Sequence, residues 1–167
     1  MEIRKLTSDD AEVYWNLRLE ALQQNPEAFA TTYEDAISRV NPLKRVESNL
    51  DSESSATLGA FIDNELVGVM TIVQEAAPKL VHRVNLFAVY VTPKVRGKRV
   101  GTALLQELVE YTQQMPHVEK INLTVVSTNK AAINLYEKVG FKSFGLEHHA
   151  MKMNNTYVDE IYMSLAW

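Results

Sequence analysis

The chain has 167 residues, a formal net charge of −4, 46% hydrophobic and 23% charged residues, and no cysteine. That length suits one domain with a core of its own, and the missing cysteines exclude a disulfide framework, a thiolate zinc site and a cysteine nucleophile together. The acidic balance gives no global attraction for nucleic acid or anionic membranes; no segment reaches the roughly 18 apolar residues of a membrane span and the opening MEIRKLTSDD is not a signal peptide, so a cytoplasmic protein is expected.

Residues 2–6 read as a short strand. Thr7 and Ser8 can cap a following helix, with Asp9, Asp10 and Glu12 favourably placed in its first turn. Val13, Leu17 and Ala21 recur there at helical spacing, flanked by Tyr14 and Leu22. Pro26 closes or redirects that helix. Residues 26–50 read as short helices and loops, and the polar, acidic stretch 47–55 as an exposed connection. Two apolar runs, 57–62 and 66–74, are separated by Asp63, Asn64 and Glu65, a hairpin signal in which Asn64 tolerates a left-handed conformation. A third run, 82–92, is aromatic and β-branched and ends at Pro93. The period then switches: Val100, Leu104, Leu108 and Tyr111 mark a helix from about 99 to 114. Strand-like INLTVV follows at 121–126, then a helix from about 129 to 138 and final runs at 141–150 and 157–166. This order predicts a single domain over 1–167 of mixed α/β (α+β) class with a largely antiparallel sheet. A right-handed crossover over 82–126 makes strands 82–92 and 121–126 parallel neighbours.

The segment 86–104, LFAVYVTPKVRGKRVGTAL, joins a buried strand to a helix through a turn carrying Gly97 and Gly101. A helix N-terminus leaves about four backbone N–H groups unpaired and carries roughly half a positive charge. Small residues let a phosphate approach such an end closely. Lys94, Arg96, Lys98 and Arg99 add four positive charges within six residues, so a pyrophosphate is the ligand these features favour. The competing reading is a solvated basic turn. Neither a Walker loop nor the dinucleotide G-x-G-x-x-G is present. In the second segment, 127–141 (STNKAAINLYEKVGF), Asn129 stands as an N-cap, Gly140 as the C-terminal stop, and Phe141 packs back. Taken alone this is a capped amphipathic helix with a buried tyrosine.

Together the two segments resemble the GNAT superfamily of N-acetyltransferases. The pattern N-x-x-A-x-x-L-Y-x-x-x-G-F is complete at Asn129, Ala132, Leu135, Tyr136, Gly140 and Phe141. The pattern Q/R-x-x-G-x-G/A is met at Arg96 and Gly101, with Arg99 where the middle glycine belongs. The resemblance covers about residues 57–166. It implies helices on both faces of the sheet and acetyl-CoA in a wedge where strands 86–92 and 121–126 splay apart. Val89, Tyr90 and Val91 would then present backbone groups to the acetyl carbonyl and pantetheine. Amides from Gly97, Lys98, Arg99, Val100, Gly101 and Thr102 would cradle the pyrophosphate. Asn129 would hydrogen-bond the pantetheine arm, Ala132 would let it pass closely, and Tyr136 would stand near the sulfur.

Transfer to an amine needs a neutral nucleophile, a stabilised oxyanion and a protonated leaving thiolate. A strand N–H near Val91 suits the oxyanion, and the resemblance implies Tyr136 as the catalytic acid, a phenol near pKa ~10 against a thiol near ~8.5. Core packing is the other reading of Tyr136. Asn85 and Thr124 occupy the positions where relatives place a glutamate base, and neither titrates. On the order of one alkyl amine in a thousand is neutral at pH 7, so an ordered water chain, another carboxylate or an acceptor of lowered pKa is needed. Glu75 and Glu34 are the nearby acids, and both also read as ordinary surface carboxylates. The stretch 17–29 would roof the acceptor side, with Phe29 and Tyr33 in the pocket or the core. His82, His117, His148 and His149 lack metal-ligand spacing, the last two pointing to opposite strand faces, so no metal site is expected. The closing strands suggest a homodimer. The function expected is acetylation of a primary amine on a small molecule or peptide. The alternative is a non-catalytic acetyl-CoA-binding or regulatory module, motivated by the absent base and by Arg99. Nucleic-acid binding fits poorly, since no aromatics interleave the basic cluster. Polyamine, aminoglycoside, amino acid and protein N-terminus all remain open as acceptors, the acidic balance suiting a cationic one.

Overall fold

In the computed structural model, which describes all 167 residues, strand β1 (Glu2–Lys5) leads through a short turn into helix α1 (Ala11–Gln24). Asp10 holds that junction. Its carboxylate accepts from both guanidinium branches of Arg4, at 2.8 and 2.7 Å, and from the Thr7 backbone N–H at 2.9 Å. A carboxylate left with 8% exposure is tolerated because its oxygens are satisfied in this way. Helix α1 buries Ala11, Leu17, Ala21 and Leu22. Val13, expected on that face, is 45% exposed, because the buried stripe runs through Leu17 towards Leu22 and leaves Val13 at its edge.

Helices α2 (Tyr33–Ile37) and α3 (Pro42–Leu50) follow. The expected exposed connection is shorter than predicted: residues 47–50 form the last turn of α3, which buries Val46 and Leu50. The hairpin strands β2 (Ser55–Ile62) and β3 (Glu65–Gln74) are joined by Asp63 and Asn64, both left-handed. That is the turn whose twist matches the flanking strands. Strand β4 (Arg83–Val91), helix α4 (Val100–Gln113), strand β5 (Lys120–Val126), helix α5 (Lys130–Val139) and the hairpin β6 (Lys142–Met153) and β7 (Thr156–Ala166) complete the chain.

All seven strands form one sheet in the order β1-β2-β3-β4-β5-β7-β6. Every pairing is antiparallel except β4 with β5. One apolar cluster packs Val100, Leu104, Leu105 and Leu108 of α4 with Ile133 and Tyr136 of α5 against the strands. A second joins Leu17 and Ala21 of α1 to Val46 and Leu50 of α3, Val69 and Tyr90. The sheet therefore carries helices on both faces, as expected. In β6 the register breaks between Glu147 and Met151, and His149 takes φ +56°. There the His148 ring lies 3.0 Å from Asp159, and the His149 N–H donates to the same carboxylate at 2.8 Å.

Replacing Asp10 by alanine is expected to lower stability by about 1–2 kcal/mol, combining a lost cap with a partly solvent-screened ion pair. Urea denaturation measures this. The Arg4 hydrogen bond holds the Asp10 carboxyl below its usual range. Its stabilisation is thus complete above the ordinary carboxylate pKa and is lost as pH falls through the lower folded value. The alanine variant should lack that part of the acid sensitivity.

Candidate active site

The parallel pairing of β4 and β5 is three residues long: Arg83 with Lys120, Val84 with Ile121, and Asn85 with Asn122. Beyond it the strands part. Strand β4 carries a bulge, for Val69 and Thr71 of β3 face Tyr90 and Phe87, leaving Ala88 and Val89 opposite Met70 alone. Ala88 takes φ +51° to make this possible. A bulge bends its strand and increases the twist, which turns β4 away while β5 stays paired with β7 through Val126. The splayed pair expected from the sequence is present.

Strand alternation decides which backbone groups face the gap. The Thr92 N–H donates to Val67 on β3 at 2.8 Å, so Tyr90 also faces β3 and Val89 and Val91 face the gap. Across it, the Ser127 N–H donates to Asp159 at 2.9 Å, which places the Thr124 and Val126 backbone on the gap side. Tyr90 departs from expectation. Its backbone is turned to β3, its ring is buried in the second core cluster, and its hydroxyl donates to Glu20 at 2.9 Å. Burial and then Glu20 hold that phenol well above its usual range.

At the C-terminal end of β4 the chain makes a 3-10 turn and enters α4. No side chain caps this helix, and the Ala103 N–H to Arg99 carbonyl bond, at 3.1 Å, is its first. The amides of Val100, Gly101 and Thr102 are therefore open, together with those of Gly97 and Arg99. Lys98 is the exception in the expected cradle, since its N–H donates to Val95 at 3.3 Å. Arg99 is left-handed, with φ +58° and ψ +22°, immediately before the helical Val100. Such a left-handed to right-handed succession turns consecutive N–H groups towards one point, a concavity that suits an anion. The glycine missing from the sequence pattern is thus the residue this backbone conformation favours. A Cβ on Gly101 would meet Leu135 at 3.4 Å and Val91 at 3.8 Å, so α4, α5 and β4 converge on it.

The gap opens into a cavity of about 530 Å³. Val89, Thr124, Val126, Asn129, Ala132 and Tyr136 line it, joined by Arg18 and Phe29 from the N-terminal region and by Glu160 of β7. Tyr136 is 4% exposed, and burial alone pushes its phenol well above the usual value. Its ring packs on Phe141 with centroids 5.8 Å apart. The Asn129 Oδ1 accepts from the Ala132 N–H at 3.2 Å, the expected cap, so the Asn129 amide NH2 is left to donate elsewhere. The acids expected nearby are not in the cavity. Glu75 accepts from Asn85 at 2.8 Å and lies 3.5 Å from Arg83, while Glu34 is exposed beside Tyr33 on an adjoining surface depression that shares Phe29, Ala30 and Met151 with the cavity.

Residues 12–141 match the Acetyltransferase (GNAT) family. The chain belongs to that family. Among its GNAT relatives is the L-amino acid N-acetyltransferase AaaT of Escherichia coli (strain K12), 34% identical over 107 residues, which are 64% of this chain and 65% of that protein. An N-alpha-acetyltransferase of Sulfurisphaera tokodaii is 29% identical over 69% of this chain and 78% of its own. The chain thus spans just under two thirds of AaaT. A Salmonella typhimurium protein solved with its cofactor acetyl-CoA superimposes with a TM-score of 0.82 at 20% identity, covering 99% of this chain and 93% of that one.

Glu160 escaped the sequence reading of this GNAT cavity, and Arg18 entered it only as part of the 17–29 stretch expected to roof the acceptor side. Arg18 sits one turn beyond Tyr14, so helical spacing alone signals only its side of α1. Glu160 interrupts the apolar alternation of β7, a detectable sign, but its neighbours Val126 and Glu147 come from distant sequence. Burial, then the facing Glu147, raises the Glu160 carboxyl above its usual range. At the turn, Arg99→Gly removes a left-handed strain of about 1–2 kcal/mol and adds some unfolded-chain entropy. The net expectation is stability equal to the parent or higher by up to about 1 kcal/mol, read by urea denaturation.

Proposed function

We propose that this protein transfers the acetyl group of acetyl-CoA to a primary amine. The observation that carries this reading is the pairing of open amides at the start of α4 with the gap where β4 and β5 part. Gly101, among those amides, packs near Val91 of β4 and Leu135 of α5, and the cavity at the gap is lined by Tyr136 and Glu160. These features fit the coenzyme: the Gly97–Thr102 turn offers five free N–H groups to a diphosphate, and the gap offers unpaired strand groups to an extended arm. Acetyl-CoA supplies the acetyl group as a thioester.

The chain's own residues do the rest. The Asn129 amide and the backbone of Val89 and Thr124 orient the pantetheine, with Ala132 leaving room beside it. The Val91 N–H, fixed by β4, is a preorganised donor for charge developing on the carbonyl oxygen. Glu160 accepts the proton of the attacking amine. As the new C–N bond forms and the C–S bond breaks, Tyr136 gives its proton to the leaving sulfur. A buried phenol is a reluctant acid, yet the same desolvation raises the proton affinity of a thiolate, so donor and acceptor stay matched. Glu160 answers the missing glutamate at Asn85 and Thr124: the base stands on β7 instead.

The protein acts in a cytoplasmic setting in this reading, and no helix is long and apolar enough to cross a membrane. A homodimer is supported by the outer hairpin, where Phe144, Leu146 and Tyr157 are at least 50% exposed. No three His, Asp or Glu side chains are grouped to hold a metal ion.

Calorimetry with acetyl-CoA, followed by thiol release with a panel of amines, tests the proposal. Gly101→Glu should weaken acetyl-CoA binding at least about tenfold, through repulsion at the helix N-terminus and crowding against Leu135. Tyr136→Phe should leave acetyl-CoA affinity in place and lower kcat roughly 10²–10⁴-fold. Because the Glu160 carboxyl is raised, the acid limb of kcat/KM should lie above the ordinary carboxylate range, and Glu160→Gln should abolish it. Tight acetyl-CoA binding with no thiol release on any amine would instead favour a regulatory module.

A further inference from the structure

Arg18 is the one guanidinium facing the cavity, and nothing neutralises it. It takes part in none of the fold's ion pairs. Its Nη1 is buried without a hydrogen-bond partner. The guanidinium carbon stands over Phe29, 4.6 Å from the ring centroid. A buried, unpaired cation is costly unless a ligand completes it. The surrounding charge deepens the deficit. Arg39 and Arg45 line a small cavity on the other side of Arg18, Arg39 already engaged by Asp35 and Arg45 in no ion pair. The only carboxylate among the cavity-lining residues is Glu160, which comes from β7 rather than from α1. The cavity thus presents one positive and one negative group on different walls, beside the apolar Phe29, Ala30 and Met151.

Resting on the acetyltransferase reading, we infer that the acceptor is an amine that also bears a carboxylate, as an α-amino acid does, with Arg18 clamping the carboxylate while the amine faces Glu160. A planar guanidinium takes a carboxylate through two parallel hydrogen bonds. A polyamine would instead bring several positive charges to an uncompensated arginine. The net charge of −4 is a poor guide here, because in physiological salt charges beyond about 8 Å are screened, and the groups within that range decide.

The test compares, on the intact protein saturated with acetyl-CoA, a series of α-amino acids, the same compounds as primary amides, and spermidine. For the preferred side chain, kcat/KM for the acid should exceed that for the amide by roughly 10- to 100-fold, mostly through KM, with spermidine no better than the amide. Arg18→Met keeps the stem on Phe29 and should erase the difference between acid and amide. Arg18→Lys should restore part of it, since a point charge lacks the fork. Equal use of acid and amide by the parent protein, preference for spermidine, or equal losses on acid and amide in Arg18→Met would each overturn the inference. Calorimetric titration of acid and amide into the protein saturated with coenzyme A gives the same comparison without turnover. Failure of the transferase reading would therefore show as acetyl-CoA binding with no acetylated product, while the carboxylate preference is decided separately by the heats.

Discussion

The site exists because two parallel strands stop pairing after Asn85 and Asn122. One extra residue in β4 does this. A continuous β4–β5 ladder would satisfy every backbone group along the sheet and leave no room between the strands. The bulge at Ala88 keeps β4 bonded to β3 on one side and frees Val89 and Val91 on the other. The cavity at this gap is lined by Asn129, Tyr136 and Glu160 among others.

Two of the nine non-glycine residues with positive φ adjoin this gap. Ala88 and Arg99 are non-glycine residues with φ of +51° and +58°, and each re-aims amide groups towards the opening. Strain of this kind persists where the surrounding packing enforces it. Here Leu86 and Tyr90 are buried on either side of Ala88, and Val95 and Val100 on either side of Arg99.

Much of this was legible in the sequence because it is local. Apolar periodicity located the strands and helices, Asp63–Asn64 marked the hairpin turn, and Asn129 and Gly140 bounded α5 as their backbone chemistry requires. The motif residues Asn129, Ala132 and Tyr136 do line one cavity. What escaped depends on contacts between distant segments. An alanine gives no sign of a bulge. Tyr90 lies between two residues that face the gap, and only the β3 register and the Glu20 contact show it turned the other way. Arg18 and Glu160 lie 142 positions apart, and no spacing rule could pair them across a cavity. Val13 and the 47–50 turn failed for a milder reason: the position of the buried stripe on a helix depends on what it packs against.

The short β4–β5 ladder has a mechanical corollary. Hydrogen-bonded continuity between the four-stranded and three-stranded portions of the sheet rests on three residue pairs at one end. An extended amide-bearing arm lying in the opening would act as the absent rungs, bridging the two portions along their free length. The ligand would then be an eighth, borrowed strand, and the sheet would be whole only while it is loaded.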